Sequence, residues 1–327
     1  MEMVRRKRIC ISHKKDVDGI VSAALFKRAR DTEVILADYG DIIDHLSQLR
    51  RVDELYICDL GLNKSTWPEF YKLIQAIAKH GQVVYTDHHP MENDWRRALK
   101  KCGVIVNHSI NDCAGVLSYE FLKKELPHDA HLLAAYAAIT DYLDGGFLAK
   151  KIIQQQDRQF VLLEATLLSY ALARRGGDED YLKKLVSELS NMTPPHRITD
   201  VLHDASEQAE RMVYLMTVVR KLGSMRKGYA SICTEEPVSG LVANLLLGAF
   251  QVSAGIAYKL SPKKDTYDIS LRGTEDCRCH LGEVASYAAD IAGGAGGGHA
   301  KASGARIPVE HIEDFLSGVE EKLLETK

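Results

Sequence analysis

Two adjacent histidines follow an aspartate in the segment Asp87-His88-His89, directly after the apolar run 82–86. Other acidic and imidazole side chains occur at comparable places in the first half of the chain. They are His13, Asp16 and Asp18 after residues 7–12, Asp59 after residues 54–58, and Asp141 at the end of an alanine-rich segment. Carboxylates mixed with imidazoles suit a pair of divalent cations. Two cations about 3.5–4 Å apart are a recurrent device for transferring a phosphoryl group to water.

Each of these motifs also has a simpler interpretation. Asp16 and Asp18 would suit the N-cap of a helix, Asp59 a turn, and the two histidines a surface turn before Pro90. Adjacent side chains leave a loop in different directions. One histidine is therefore expected to bind metal while the other contacts substrate or moves a proton, with Asp87 orienting an imidazole.

A glycine-rich segment in the last third of the chain offers backbone N–H groups to a phosphate or a base. It covers residues 293–298 and ends at His299, and a flexible loop is the alternative. Lys301 and Ser303 are expected to add a cation and a hydroxyl to this segment. Arg272 is predicted to lie nearby at a strand end, where it could hold a phosphate with two N–H donors.

The elements that would position these residues are predicted from hydrophobic periodicity. Short strands alternate with helices in the first half, which predicts an α/β fold with a doubly wound, mostly parallel sheet and helices on both faces. Ligands of such sheets collect at the carboxyl ends of the strands, where the acidic clusters lie. The predicted strands are 7–12, 33–37, 54–58, 82–86 and 104–106, and the predicted helices are 19–30, 41–49, 66–80 and 91–101.

The pattern of the second part of the chain predicts a helical connector and a smaller C-terminal α/β domain. Residues 113–190 have a helical pattern, and an amphipathic helix is predicted over 199–222. Strands at 229–233, 254–260, 267–271 and 305–309 and helices at 239–250 and 281–291 follow. We therefore predict a catalytic domain at 1–190, a linker at 191–227 and a substrate-binding domain at 228–327.

Composition narrows the class of protein. The chain has 327 residues and a net charge of -3, which argues against a large, permanently nucleic-acid-coated surface but leaves room for a local basic groove. No apolar run reaches the roughly 18 residues of a membrane span. Seven cysteines, odd in number and scattered, suit a reducing compartment, so a cytoplasmic location is expected. Cys277-x-Cys279 lacks the second pair that a zinc site would need.

Taken together and in this order, the motifs resemble those of the DHH-family phosphoesterases, the superfamily of RecJ exonucleases, nanoRNases and phosphoadenosine phosphatases. The resemblance covers nearly the whole chain, including a C-terminal DHH-associated domain with a glycine-histidine signature. It implies two divalent cations, Mn²⁺ first and Mg²⁺ or Co²⁺ as alternatives. The first cation would be held by His13, Asp16 and Asp59, and the second by Asp18, Asp59, His88 and Asp141, with Asp59 bridging.

The resemblance also implies roles for other residues. His89 would face the scissile phosphate and Asp87 would support the histidines, while Asn107 would lie close by. Arg272, Gly297, Gly298 and His299 would hold substrate on the second domain. The chain departs from the family at one point, because two residues rather than three separate His13 from Asp16.

The predicted function is hydrolysis of short oligonucleotides by a water activated between two cations, as in nanoRNases, extending to nucleotide bisphosphates. Three alternatives remain open: a RecJ-like single-strand exonuclease, a cyclic-dinucleotide phosphodiesterase, and a non-catalytic replication scaffold. The expected partners are short single-stranded RNA or DNA or nucleotides, with no membrane. A homodimer is compatible with the resemblance.

Overall fold

The computed structural model describes residues 6–263 and 265–325. The chain divides into two compact units, Met1–Ala209 and Glu210–Lys327. The division falls within the helix Val201–Leu222, inside the segment predicted as a linker. The predicted domain bounds at 190 and 227 themselves stay a prediction.

The first unit is built on a five-stranded sheet in which every pairing is parallel. Its order is β2-β1-β3-β4-β5, so the chain starts near the middle and moves outward in both directions. The doubly wound sheet is therefore confirmed. The strands are β1 Arg8–His13, β2 Glu33–Ala37, β3 Glu54–Cys58, β4 Gln82–Asp87 and β5 Ile105–His108.

Helices cover both faces of this sheet because successive strand residues point to opposite sides. Cys10, Tyr56 and Val84 pack into one core, and Ile11, Ile57 and Tyr85 pack into the other. The first core takes residues from α1, α5, α6, α8 and α9, and the second from α2, α3 and α4. The helices are α1 Val17–Arg30, α2 Ile42–Gln48, α3 Trp67–Ala78, α4 Asn93–Lys101, α5 Ala114–Leu122, α6 His131–Thr140, α7 Phe147–Ile153, α8 Arg158–Arg175, α9 Glu179–Ser190 and α10 Val201–Leu222.

The second unit contains a six-stranded mixed sheet of order β10-β11-β9-β8-β7-β6. Only the β7–β8 pairing is parallel among the described residues. Its strands are β6 Ser224–Arg226, β7 Tyr229–Cys233, β8 Ala254–Leu260, β9 Thr266–Gly273, β10 Ala295–Gly298 and β11 Ala302–Pro308; its helices are α11 Ser239–Phe250, α12 Leu281–Ile291 and α13 Ile312–Glu325.

The glycine-rich segment is partly a strand rather than a flexible loop. Ala295–Gly298 pairs antiparallel with β11, with Gly297 opposite Gly304 and Gly298 opposite Ser303. Gly296 has no room for a side chain, since a Cβ would lie 3.0 Å from that of Ala289 and closer still to the backbone of Ala285. Close packing of α12 on this strand therefore explains Gly296, which composition alone attributes to a loop.

The acidic clusters lie at one edge of the first sheet, where its strands end. β1 ends at His13, β3 is followed by Asp59, and β4 ends at Asp87, so the acidic clusters meet at the carboxyl edge. Among the residues described, no helix is both long and apolar enough to cross a bilayer.

Candidate metal centre

Asp59 occupies the middle of the polar cluster at the carboxyl edge. It directly follows β3 with φ of 56°, a left-handed conformation that aspartate tolerates better than most residues, and its N–H donates to the Thr86 carbonyl at 3.0 Å. One carboxylate oxygen, Oδ2, lies 3.6 Å from His13 Nδ1, and the other, Oδ1, lies 3.4 Å from His88 Nε2. The two oxygens thus face two different groups of side chains.

The first of these groups contains His13, Asp16 and Asp59, whose donor atoms lie within 4.8 Å of one another. His13 Nδ1 is 2.9 Å from Asp16 Oδ2. The other oxygen of Asp16 accepts from the Gly19 N–H at 2.9 Å, so Asp16 also caps α1. The capping interpretation and the ligand interpretation of this aspartate are therefore compatible.

The second group contains Asp18, His88 and Asp141. His88 Nε2 lies 3.8 Å from Asp18 Oδ2 and 3.4 Å from Asp141 Oδ2. Asp18 is 1% exposed and accepts from the N–H groups of Ala114 and Gly115 at the start of α5, which fixes its carboxylate. Asp144, the competitor of Asp141 in the sequence, is exposed and belongs to neither group.

His89 is held between two side chains, and its ring lies 4.4 Å from that of His88. Its Nδ1 is 2.9 Å from Asp87 Oδ1, and its Nε2 is 3.1 Å from the Tyr39 hydroxyl. Asp87 is 1% exposed and in turn accepts from the Tyr85 hydroxyl at 2.9 Å. The Asp87 carboxylate accepts a hydrogen bond from the Nδ1–H group, and Nε2 forms a hydrogen bond with the Tyr39 hydroxyl.

Asp38 and Tyr39 are two neighbours of this centre that the sequence analysis missed. They follow β2, as the other clusters follow their strands. Asp38 Oδ1 lies 3.6 Å from His13 Nε2, and Asp38 Oδ2 pairs with Lys15. The Tyr39 ring lies 4.9 Å from that of His13. Asp59 was predicted because it directly follows a strand, and the same reasoning would have indicated Asp38 and Tyr39.

The crowding of carboxylates raises several pKa values in this centre. Burial first and then the Asp59 carboxylate raise the pKa of Asp18 to about 7. Burial and Asp18 raise the pKa of Asp141 to about 7, and burial and Asp16 raise that of Asp59 well above its usual range. Desolvated like charges disfavour ionisation, and a nearby cation would reverse the effect.

The histidines respond in the opposite direction. Burial alone lowers the pKa of His13, but hydrogen bonds to Asp16 and Asp59 outweigh it and raise the pKa to about 10. Burial also lowers the pKa of His89, yet the hydrogen bond to Asp87 outweighs it and raises the pKa to about 9. The surroundings therefore stabilise positive charge.

Three orphaned atoms indicate that this donor set fits divalent cations. His13 Nε2, Asp59 Oδ2 and Asp141 Oδ2 are buried and have no hydrogen-bond partner among the described residues. Leaving buried polar atoms unpaired costs about 1–3 kcal/mol each. Carboxylate oxygens and imidazole nitrogens in two adjoining groups are ligands that Mn²⁺ and Mg²⁺ accept.

Comparison with known protein families identifies one domain in this chain. The DHHA1 domain family matches residues 229–325. The C-terminal part of the chain therefore carries a DHHA1 domain. Comparison with curated proteins finds no match.

Solved structures share the fold over almost the whole chain at low sequence identity. A pGpG-specific phosphodiesterase, PggH of Vibrio cholerae, matches with a TM-score of 0.62 and 16% identity, covering 98% of this chain and 100% of that one. The DHH domain of PF0399, described as a member of the s1p family of ribosomal proteins, matches with a TM-score of 0.71 and 16% identity. The match covers 98% of this chain and 87% of that one. An exonuclease RecJ bound to manganese matches with a TM-score of 0.66 and 17% identity, covering 98% of this chain and 91% of that one.

Within the DHHA1 domain the structure brings Arg272 and the glycine-histidine segment to the same end of the sheet. Arg272 is paired with Ala302 and Gly298 with Ser303, so they lie on either side of β11. The guanidinium contacts Gly240 at the start of α11 and donates to the Leu271 carbonyl at 2.9 Å. Burial lowers the pKa of Arg272, and no described carboxylate pairs with it. His299 is exposed.

Two expectations for this segment are wrong. Lys301 Nζ is directed to the backbone carbonyls of Glu275, at 3.0 Å, and Cys277. The Ser303 hydroxyl is buried and donates to the Leu281 carbonyl at 2.9 Å. Both side chains hold the loop around Cys277 and the start of α12, because backbone carbonyls there need donors. The predicted cation and hydroxyl for a phosphate are therefore already engaged.

Asn107 lies on β5, the strand next to β4, which leads to the two histidines. It lies in β5 opposite Thr86, and its Nδ2 donates to the Leu117 carbonyl at 3.0 Å. Its role near the substrate stays a prediction. His108, the next residue, was not predicted; its Nε2 donates to the His89 carbonyl at 2.7 Å and fixes the loop that carries both histidines.

Proposed function

We propose that this protein hydrolyses phosphodiester bonds of very short oligonucleotides, as nanoRNases do, and that two divalent cations assist it. The main support for this proposal is the position of Asp59. Its two carboxylate oxygens face separate groups that each contain carboxylate and imidazole donors. One carboxylate between two such groups supports a bridged pair of cations. The likeness to a pGpG-specific phosphodiesterase over its full length favours a dinucleotide as substrate.

The chain's own residues would then bind, orient and exchange protons. His13, Asp16 and Asp59 would hold one cation, and Asp18, Asp59, His88 and Asp141 the other. When bound, such cations polarise the phosphoryl group and lower the pKa of a water molecule. The contacts of Asp18 with α5 would keep its carboxylate in place without reorganisation during the reaction.

His89 would act on the phosphate rather than on a cation. Asp87 accepts the hydrogen bond from Nδ1, so Nε2 is the ring nitrogen that would face the phosphate. At this position it could donate to a non-bridging oxygen or protonate the leaving oxygen. In the DHHA1 domain, Arg272 has the forked donors and the absence of a described carboxylate partner that a phosphate-binding arginine needs.

A RecJ-like single-strand exonuclease is the second candidate, because a RecJ structure shares the fold over 91% of its length. A cyclic-dinucleotide phosphodiesterase would use the same centre. A non-catalytic scaffold is disfavoured, since every acidic position of the motifs is filled and the side chains converge.

The decisive experiment compares substrates on the Mn²⁺-loaded protein. Labelled diribonucleotides, 20-nucleotide single strands, cyclic dinucleotides and adenosine bisphosphate are incubated in parallel. We expect the dinucleotide to give the highest kcat/KM. A large preference for the 20-nucleotide strand would overturn the proposal in favour of the exonuclease.

A pair of variants ties turnover to the bridging carboxylate. Asp59→Asn removes charge at the shared position and is expected to lower turnover at least about 100-fold, because several kcal/mol of transition-state stabilisation depend on the cations. Asp144→Asn removes the same charge from an exposed neighbour and should leave turnover unchanged. Near-normal turnover of Asp59→Asn at saturating Mn²⁺ contradicts the bridging assignment.

A further inference from the structure

The edge of the parallel sheet opposite the candidate metal centre carries an excess of positive charge. Here the strands begin and α1 to α4 end, so the chain's connections bring together residues far apart in sequence. Eleven lysines and arginines lie at this edge against five carboxylates, Asp31, Glu33, Asp53, Glu54 and Glu125, while the whole chain has a net charge of -3. We name these cations the basic edge: Arg6, Lys7, Arg8, Lys27, Arg28, Arg30, Arg50, Arg51, Lys79, Lys100 and Lys101.

Part of this charge has a local explanation. Lysine and arginine in the last turn of a helix interact favourably with its negative end, which accounts for the cations that end α1 and α4. Arg6, Arg8 and Arg30 are also partly neutralised, by Glu54 and Glu125. Neither explanation covers Arg50 and Arg51, because α2 ends at Gln48 and no described carboxylate lies within 4 Å of them.

Two concavities occur along this edge. One, of about 640 Å³, is lined by Arg50, Arg51 and His80 together with apolar residues and has no carboxylate in its lining. The other, of about 450 Å³, is lined by four cations and two carboxylates: Arg6, Lys7, Arg8, Lys27, Asp31 and Glu33, together with Thr32. Arg50 and Arg51 are exposed, so their guanidinium groups are available to an anion.

The cations form a row because they follow the order of the strands. Along β2-β1-β3-β4-β5 they come from the end of α1, the start of β1, the segment before β3, the end of α3 and the end of α4. Neighbouring strands are about 4.8 Å apart, so the row extends for about 19 Å. A linear row of cations matches a linear polyanion, and the phosphate backbone of a nucleic acid is one with closely spaced charges.

We propose that the basic edge docks a nucleic acid chain through its phosphates, at a surface separate from the metal centre. Strands of five or six residues put about 17–20 Å between the two edges, so a dinucleotide at the metals cannot reach this row. Docking therefore concerns longer nucleic acid, and it raises the local concentration of chain ends near the protein without taking part in hydrolysis.

The test measures binding of a 20-nucleotide single-stranded phosphorothioate RNA to the full chain by fluorescence anisotropy at several salt concentrations. Arg50→Ala combined with Arg51→Ala is expected to weaken binding about tenfold. It should also reduce the slope of log K against log salt by about 1.4, since each lost phosphate contact on a single strand contributes about 0.7. Lys100→Ala with Lys101→Ala, further along the row, should act in the same direction.

The matched control is Arg220→Ala combined with Lys221→Ala, an exposed pair of cations at the end of α10 that carries the same charge change. Equal weakening by the control pair, or no weakening by the edge variants, overturns the proposal. Equally tight binding of polyglutamate or of anionic lipid vesicles, with the same loss in the variants, overturns the assignment to nucleic acid.

A dinucleotide turnover assay separates this proposal from the proposed function. The edge variants should hydrolyse the diribonucleotide at the wild-type rate, because none of their residues lies near the metal centre. If the wild-type protein fails to hydrolyse any nucleotide, the proposed function fails while the binding result stands.

Discussion

Tyr39 is the residue whose contribution the sequence least revealed. Its hydroxyl reaches His89 Nε2 at 3.1 Å, and its ring lies edge-on to His89 with 6.0 Å between the ring centroids. Asp87 holds the opposite side of the same imidazole. The ring of His89 is thus positioned from both nitrogens, as the residue proposed to act on the phosphate requires.

Removal of that hydroxyl should affect turnover more than substrate binding. We expect Tyr39→Phe to lower kcat about 3- to 10-fold with little change in KM, because one hydrogen bond of about 1 kcal/mol that orients His89 is lost. Steady-state kinetics and the ¹⁵N NMR signals of His89 would measure the effect. Tyr142→Phe is the control, since Tyr142 is 89% exposed near the same loop. An unchanged kcat and unchanged His89 signals would show that Tyr39 has no positioning role.

At the scale of elements, the junction between β1 and α1 sets the geometry of the first motif. Gly19 lies in the first turn of α1, and a Cβ there would overlap the carbonyl of His13 and lie 2.8 Å from the His13 Cβ. Only glycine lets the helix start so close to the strand end, and this closeness brings Asp16 and Asp18 beside His13. The two-residue spacing between His13 and Asp16 is accommodated by the same tight junction.

Gly19→Ala is therefore expected to destabilise the protein by about 1–3 kcal/mol, because the extra methyl group must displace backbone. Urea unfolding followed by circular dichroism measures the change. Gly248→Ala is the matched control in a helix, as a Cβ at Gly248 meets nothing within 4 Å. That substitution should be neutral or stabilise by up to about 1 kcal/mol. Similar free energies of unfolding for the two variants would contradict the steric argument.

At the scale of the whole molecule, charge is separated between the two edges of the first sheet. Carboxylates collect where the strands end, and lysines and arginines collect where they begin. Burial, and then the repulsion between neighbouring carboxylates, raise the pKa values of Asp18 and Asp141 to about 7. Stability should therefore depend on both pH and divalent cations.

The sign of this dependence follows from linkage. A carboxyl group whose pKa is higher in the folded than in the unfolded state stabilises folding below its unfolded pKa, near 3.8, and this stability is lost as the pH rises to about 7. We expect Mn²⁺ at 100 times its Kd to add about 2.7 kcal/mol, or a rise in Tm of about 5–10 °C. At one fixed Mn²⁺ concentration the rise should be larger at pH 8 than at pH 5.5, because protons compete with the cation and raise its apparent Kd at the lower pH.

Differential scanning calorimetry with and without Mn²⁺ at the two pH values would measure this prediction. Asp59→Asn is the control, and its Tm should respond weakly to Mn²⁺ at either pH. An equal rise in Tm at both pH values would show that the cation does not bind the carboxylates of this centre.

The sequence by itself determined the alternation of strands and helices in the first half. Strands 33–37 and 54–58 were predicted to the residue, and α1 to α4 to within about two residues, because hydrophobic periodicity and strand-end polarity are local properties. It also indicated six residues that the structure brings into two adjoining groups, His13, Asp16, Asp18, Asp59, His88 and Asp141. Parallel strands bring their carboxyl ends to one edge whatever their order, so the convergence of the five residues that end or follow strands needed no coordinates. Asp141 follows α6 instead, and the packing of that helix places it.

Only the tertiary structure decided what depends on contacts between distant segments. It placed Tyr39 and Asp38 beside His89 and His13, made the glycine segment a strand under α12, and directed Lys301 and Ser303 to backbone carbonyls. It also lined up cations from five connections along one edge. These features arise from strand order and packing, which bring together residues that no local sequence pattern relates.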